Sequence, residues 1–393
     1  MKRNNNNVFY IRKYLLAPVC KHINEELMKK MTLMVLAAIM VTFSAEAQRI
    51  RTIDKDGQSI PFVSVMTTDN KYIGVTDMEG VIDDVKGADT ILVSHVAYKQ
   101  KLYKVNGKSG SITLEDADFG LPELVVKKKP YVYVQTYYRT YSYDEKDGIW
   151  YYRVGLTDNV YDIAKKELKA STKHISKANS GILKFAINGL IGDRLDRQSQ
   201  IKRNKLEKLI VERNKNLKMK ITDEGNGKKR ISDFKGTIGY ITDNMKTGQR
   251  RFSYDNSMAI SHSYEAEGQT KKLKKYQARR AKEKNRKEAD FHLYNIDENG
   301  NYSPEDFVMS QLMSTYDKVQ EDSSLVFNVT CSQVFNIERA YVDKEELKKK
   351  KKENKMKMTY ENVREFERKH NIPPLSPNIQ KRLNELWKMD KDD

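Results

Sequence analysis

Gly57-Gln58-Ser59-Ile60-Pro61-Phe62-Val63-Ser64-Val65, then Gly74-Val75-Thr76-Asp77-Met78-Glu79-Gly80, then Asp89-Thr90-Ile91-Leu92-Val93-Ser94-His95-Val96-Ala97-Tyr98-Lys99 are the three ordered segments that decide the fold of the first domain. They lie in a stretch where short apolar runs alternate with strong turn signals: Lys55-Asp56-Gly57, Asp69-Asn70-Lys71, Met78-Glu79-Gly80 and Lys86-Gly87-Ala88-Asp89. Strands are predicted at 49–54, 61–68, 72–77, 81–85, 90–98, 99–105 and 110–115. Phe62, Ser64 and Met66 alternate with Val63, Val65 and Thr67, as in a half-buried strand. Seven short strands without a helical period predict a seven-stranded β-sandwich.

The order of these segments resembles the carboxypeptidase regulatory-like domain, a transthyretin-like sandwich. Its pattern is a small-Pro-aromatic strand, a Gly-x-x-Thr-Asp-x-x-Gly turn and an Asp-Thr-Leu-x-x-Ser-x-x-Gly-Tyr strand. Ala97 stands where the glycine before the tyrosine is usual, and Val81 where an aromatic is usual. Leu121-Pro122-Glu123-Leu124-Val125-Val126 is similar to the tail that follows such domains in outer-membrane receptors. The resemblance implies a non-catalytic accessory module and supplies no catalytic residues.

An export signal precedes that domain. Met28-Lys29-Lys30 opens an apolar run, 33–43, which ends before Ala45-Glu46-Ala47 and Gln48. A basic start, a short apolar stretch and a small-x-small site make a signal peptide at 28–47, too short for a membrane span. Residues 1–27 then read as an extension upstream of the native start. Seven basic and three acidic residues precede Gln48, so the formal charge falls from +18 to +14 on cleavage. Cys20 leaves with the leader, and Cys331 is expected as a buried core thiol. The mature chain is expected in the periplasm or associated with the outer membrane, without a transmembrane span.

The domain 48–118 is followed by a linker at 119–130, a β-rich α+β domain at 131–342 with basic helices, and a helical tail at 343–393 expected to hold two short helices. Nine tyrosines fall between 131 and 161 and point to paired strands around the turn Asp147-Gly148. Apolar and basic helices are expected between 182 and 210, further strands near 219–222, 239–241, 252–263, 291–296 and 325–340, and a basic helix over 268–290. Ser376-Pro377 reads as a helix start with serine as cap, and Ile379, Leu383, Leu386 and Trp387 share one face. A transmembrane barrel is not expected, because lysine-rich stretches at 201–218, 271–288 and 344–358 interrupt the strand pattern.

The leading functional expectation is a secreted cell-envelope protein that binds a protein partner or an anionic envelope polymer, with no catalytic residue, metal or cofactor and no nucleic acid. Lys271, Lys272, Lys274, Lys275, Arg279 and Arg280 open a window with ten basic residues in 17, expected to be exposed and to contact an anionic surface. The alternative is a glycan-binding module in which Tyr137, Tyr141 and Tyr151 stack on sugar rings. A zinc carboxypeptidase is the least favoured reading. His262, Glu265 and His370 have superficially suitable spacing, but too little chain follows His370 for the rest of such an enzyme. Asn295 to Asp306 lacks the ligands of a calcium loop and reads as a hairpin turn around Asn299-Gly300.

Overall fold

The seven predicted short strands form, in two sheets. In a computed structural model that describes residues 49–69, 71–83, 85, 87–106, 109–117, 129–146, 148–165, 167–178, 217–255, 265–353 and 360–388, they are β1 (Arg49–Ile53), β2 (Ser64–Thr67), β3 (Tyr72–Val75), β4 (Val81–Asp83), β5 (Thr90–His95), β6 (Tyr98–Lys104) and β7 (Gly110–Thr113). One sheet runs β4-β1-β7, with β1 and β7 parallel; the other runs β3-β2-β5-β6. Ile50, Val65, Val75, Ile91, Val93 and Ile112 are buried in the shared core. Phe62 departs from the expected alternation. It sits at φ 60° in the turn before β2, with its side chain buried.

The turn that anchors the second segment explains its residues. Thr76 Oγ1 accepts the Val63 N–H (2.9 Å), and the Asp77 carboxylate accepts from the N–H groups of Glu79 (3.0 Å) and Val81 (2.7 Å). Gly80 has φ 72°, and a Cβ there would lie 2.7 Å from the Thr52 carbonyl oxygen and 2.9 Å from that of Ile60. Only glycine combines that backbone conformation with so close an approach.

The remaining strands are β8 (Tyr131–Asp144), β9 (Gly148–Asp162), β10 (Glu167–Ala178), β11 (Lys220–Gly225), β12 (Lys228–Ser232), β13 (Thr237–Asn244), β14 (Gln249–Asp255), β15 (Glu283–Asn295), β16 (Phe307–Val319) and β17 (Leu325–Val342). All ten join one antiparallel sheet in the order β10-β9-β8-β17-β16-β15-β14-β13-β12-β11. The first strand of the group, β8, therefore pairs with the last, β17. The lysine-rich stretch 271–288 does not interrupt this sheet: α1 (Thr270–Arg280) lies in the connection between β14 and β15.

The basic helix is consequently shorter than the predicted 268–290. From Glu283 the chain is a strand, because Ala289, Phe291 and Leu293 alternate with polar neighbours and bury one face between β14 and β16. Three helices close the chain rather than two: α2 (Lys344–Glu353), α3 (Tyr360–Lys369) and α4 (Pro377–Lys388). The expected face of α4 is buried through Ile379, Leu383 and Leu386, and Trp387 packs against the same core. Ser376 makes no capping side-chain bond. Its carbonyl accepts the Gln380 N–H at 2.9 Å, while its side chain lines a cavity.

Strand β8 is buried on both faces, which accounts for its unbroken run of buried residues. Tyr137, Tyr141 and Tyr143 belong to a core shared with the small sheets and the C-terminal helices. Val132, Val134 and Tyr138 join Ile231, Ile241, Phe252, Phe307 and Val334 in a second core. On that second face, Thr140 and Ser332, and Ser142 and Thr330, form hydroxyl pairs at 3.0 Å. The protein from Arg49 onward is one compact unit, so the small sheets and the large sheet share their packing. No helix among the described residues is long and apolar enough to cross a membrane. The expected leader, residues 119–128 of the linker and the helices of 182–210 lie outside the described residues.

Candidate functional site

A cavity of about 530 Å³ opens between the small sheets, the large sheet and the segment joining α3 to α4. Strand β5 brings His95 to its wall, β8 brings Arg139 and Tyr141, β16 brings Gln311 and Met313, and β17 brings Gln333. Ile372, Pro373, Pro374 and Leu375 form another side. The two prolines keep this segment out of helix, and their missing N–H groups leave fewer donors to satisfy there.

The buried charge in this wall is paired. Arg139 Nη1 stands 2.9 Å from Glu367 Oε1, Nη2 donates to the Pro373 carbonyl at 2.7 Å, and Nε donates to Gln333 Oε1 at 2.6 Å. Tyr137 donates its hydroxyl to the same Glu367 oxygen at 2.7 Å. Burial is the largest single influence and works against the Arg139 charge, but Glu367, Tyr137 and Tyr152 together outweigh it and raise the guanidinium pKa above its ordinary value. The phenols of Tyr72 and Tyr98, also in the wall, are pushed up by burial.

His95 is held neutral. Burial, with the Arg251 charge as a second cause, lowers its pKa from 6.5 to about 3. Its ring meets Phe291 edge-on at 4.9 Å, and its Nδ1 accepts the Ala97 N–H at 3.2 Å. Cys331 lies behind Gln311, with Sγ 3.7 Å from Gln311 Oε1. Burial pushes its thiol up to about 12, so it stays protonated at neutral pH.

The small module and the large sheet are joined beside the cavity by ion pairs. Arg251 Nη1 is 2.8 Å from Asp54 Oδ2, and Nη2 is 2.8 Å from Asp116 Oδ1. The Tyr98 ring packs against this guanidinium at 5.2 Å. Tyr72 stacks on Phe327 at 4.8 Å and 20°, and Lys287 Nζ donates to the Val75 carbonyl.

Comparison of the chain with protein-family models finds no match, and comparison with curated proteins finds none. The sites expected from sequence must therefore be judged on geometry. Tyr137 and Tyr151 are buried by packing and present no platform to a sugar, whereas Tyr141, also buried, lines the cavity. Both faces of β8 are occupied, which an alternating tyrosine pattern does not reveal. Lys271, Lys272, Lys274 and Lys275 are exposed on α1, as expected. Arg280 is not. It pairs with Glu283 (2.7 Å) and Glu288 (3.2 Å) and lies against the Tyr276 ring. Arg286 shares both carboxylates and Lys287 is partly buried, whereas Lys282 and Lys284 are exposed, so the window 271–287 is not exposed throughout. Arg279 is in the same helix.

Among the described residues, no group of three or more His, Cys, Asp or Glu is placed to hold a metal ion. His262 lies outside the described residues, Glu265 pairs with Lys235 at 2.5 Å, and His370 packs on Phe366 at 4.3 Å. The Asn295–Asp306 connection is a turn. Asp297 Oδ1 accepts the N–H groups of Asn299 and Asn301, and these bonds lower its pKa.

One arrangement escaped the sequence reading. His292 Nε2 stands 2.7 Å from Asp290 Oδ1, and Ser310 is the strand partner opposite His292. An acid, a base and a hydroxyl thus share one face, but Ser310 Oγ and His292 Nδ1 each lack a hydrogen-bond partner. The base-to-nucleophile bond that activates a serine is not made. The Asp-x-His alternation on a strand was the available signal. His95, Gln311 and Gln333 gave none, since single polar residues in strands are ordinary.

Proposed function

We propose that this chain is an exported, non-catalytic binding protein of a bacterial cell envelope, acting in the periplasm or at the outer membrane. Its first seven strands are a carboxypeptidase regulatory-like module of the transthyretin type, used as an accessory to the large sheet. The module reading is supported by the three ordered segments and by the scaffold tasks of Thr76, Asp77 and Gly80 at the heart of the motif. Export is supported by the leader pattern before Gln48.

The observation that carries binding is the 530 Å³ cavity where module and sheet meet. Pockets at such junctions, lined by apolar groups with a few polar ones, are the usual form of a ligand site. The histidine there is held neutral and the nearby thiol protonated, while the arginine is committed to Glu367. Those states suit recognition of a ligand, either free or as part of an envelope protein or polymer. The exposed lysines of α1 supply a second contact, with an anionic surface, and make the outer-membrane association peripheral.

Isolation of the protein from native envelope fractions tests this reading. Amino-terminal sequencing is expected to begin at Gln48 or within a residue or two, with a partner co-purifying. A start at Met1, or one zinc per chain by elemental analysis, would overturn it.

A further inference from the structure

The hydrogen bonds across the cavity wall run in one direction. Arg139 can only donate, and its Nε does so to Gln333 Oε1 at 2.6 Å. The other end of the Gln333 amide is therefore Nε2, which donates to Gln311 Oε1 at 2.7 Å. The Cys331 thiol also addresses that oxygen, at 3.7 Å. Gln311 Nε2, with two hydrogens, is thus the end of the relay. An obligate donor at one end determines the orientation of both amides. Among the described residues no acceptor meets Gln311 Nε2, although Gln311 is 6% exposed and lines the cavity.

His95 reaches the same condition independently. The Ala97 N–H occupies Nδ1, so the single proton of the neutral ring is on Nε2. His95 is 5% exposed, lines the same cavity, and has no acceptor for that proton among the described residues. Two nearly buried side chains therefore bring unpaired donors to one cavity. Leaving such donors without acceptors is costly, so the site favours a ligand that supplies them. The wall also holds apolar Met66, Val96 and Met313, and a hydroxyl at Ser64 whose own hydrogen is directed to Met313 Sδ at 3.8 Å. That hydroxyl also hydrogen-bonds the Tyr72 hydroxyl, so it is already partnered.

We infer that the cavity binds a ligand carrying amide groups, whose carbonyl oxygens accept from Gln311 and His95 and whose acyl carbons lie on Met66 and Met313. The cavity's buried arginine is already paired with Glu367, so the recognition falls to the amide groups rather than to that charge. The size suits a disaccharide or a dipeptide, and N-acetylated sugars and peptide backbones both present this chemistry. The inference rests on the proposed binding role of the cavity and adds the ligand class.

Calorimetric titration of the full chain with N,N′-diacetylchitobiose, with N-acetyl-alanyl-alanine amide and with amide-free cellobiose tests it. One of the two amides is expected to bind saturably and cellobiose not, and the amide that binds names the source. Gln311→Met, close in volume, and His95→Phe are each expected to weaken binding about tenfold. In the wild-type chain, the Gln311 side-chain amide resonance should shift on saturation, a readout that does not depend on either variant folding. Binding of cellobiose alone overturns the amide class but keeps the cavity as a binding site. Absence of binding by all three overturns the amide class; the binding role of the cavity falls separately if Met313→Trp, which fills it, still co-purifies with the envelope partner.

Discussion

Arg251 and Asp54 join two parts of the protein almost two hundred residues apart in sequence, with Nη1 and Oδ2 2.8 Å apart in a nearly solvent-free seam. Asp54 also accepts the N–H groups of Asp56 and Gln58, so it organises the β1 turn while holding the large sheet. Asp116, at the far end of the module, takes the other arm of the same guanidinium. One side chain of β14 thereby grips both ends of the small module.

Replacing Arg251 with methionine leaves Asp54 buried without its counter-charge. Loss of one partner of a buried pair costs about 3–5 kcal/mol. Urea unfolding of Arg251→Met is expected to show that loss, together with earlier proteolysis between 117 and 131. A change below about 1 kcal/mol would mean the seam is held by its apolar contacts.

Gly80 and Gly57 both have positive φ, but only Gly80 meets its neighbours closely; a Cβ at Gly57 would touch nothing within 4 Å. Gly57→Ala is expected to cost about 1 kcal/mol, the backbone penalty alone. Gly80→Ala should cost more, by about 1–3 kcal/mol. Equal melting temperatures for the two variants would refute the close approach to Thr52 and Ile60.

Acid sensitivity should trace partly to His95. Its folded pKa of about 3 lies below the unfolded 6.5, so its contribution is intact above pH 6.5 and is lost as pH falls toward 3. At pH 5 the unfolded chain binds a proton that the folded one refuses, a loss of about 2 kcal/mol. His95→Phe should therefore show a shallower fall in stability between pH 6.5 and 4 than the wild type. Parallel profiles would place the titration elsewhere.

The exposed lysines of α1 should act without affecting stability. Lys271→Gln, Lys272→Gln, Lys274→Gln and Lys275→Gln together are expected to leave melting unchanged and to weaken binding to anionic vesicles. Each residue near such a surface adds about 1 kcal/mol at low salt. Arg280→Gln should instead lower stability, since it removes one of the two guanidinium groups that Glu283 and Glu288 pair with. If the unmodified protein binds such vesicles equally at low and high salt, α1 is simply a solvated helix.

Local chemistry made much of the fold legible. The turn residues Asp77 and Gly80, the alternation at Val63, Val65, Ile91 and Val93, and the Pro377 start of α4 each act within a few residues of themselves. The reading of 281–290 as helix failed because basic residues dominate its composition. The alternating Ala289, Phe291 and Leu293 become decisive only when strands exist on both sides to bury them.

By itself, then, the sequence determined the β character, the seven short strands, the place of the basic helix start and the leader pattern. These rest on periodicity, turn chemistry and composition, which need no distant partner. Only the tertiary structure decided that β8 pairs with β17, that the tyrosines face inward on both sides, and that Arg251 clamps Asp54. It also decided the donor relay from Arg139 through Gln333 to Gln311. Each of those depends on groups far apart in the chain, whose meeting is set by the sum of many burial and pairing energies rather than by the residues between them.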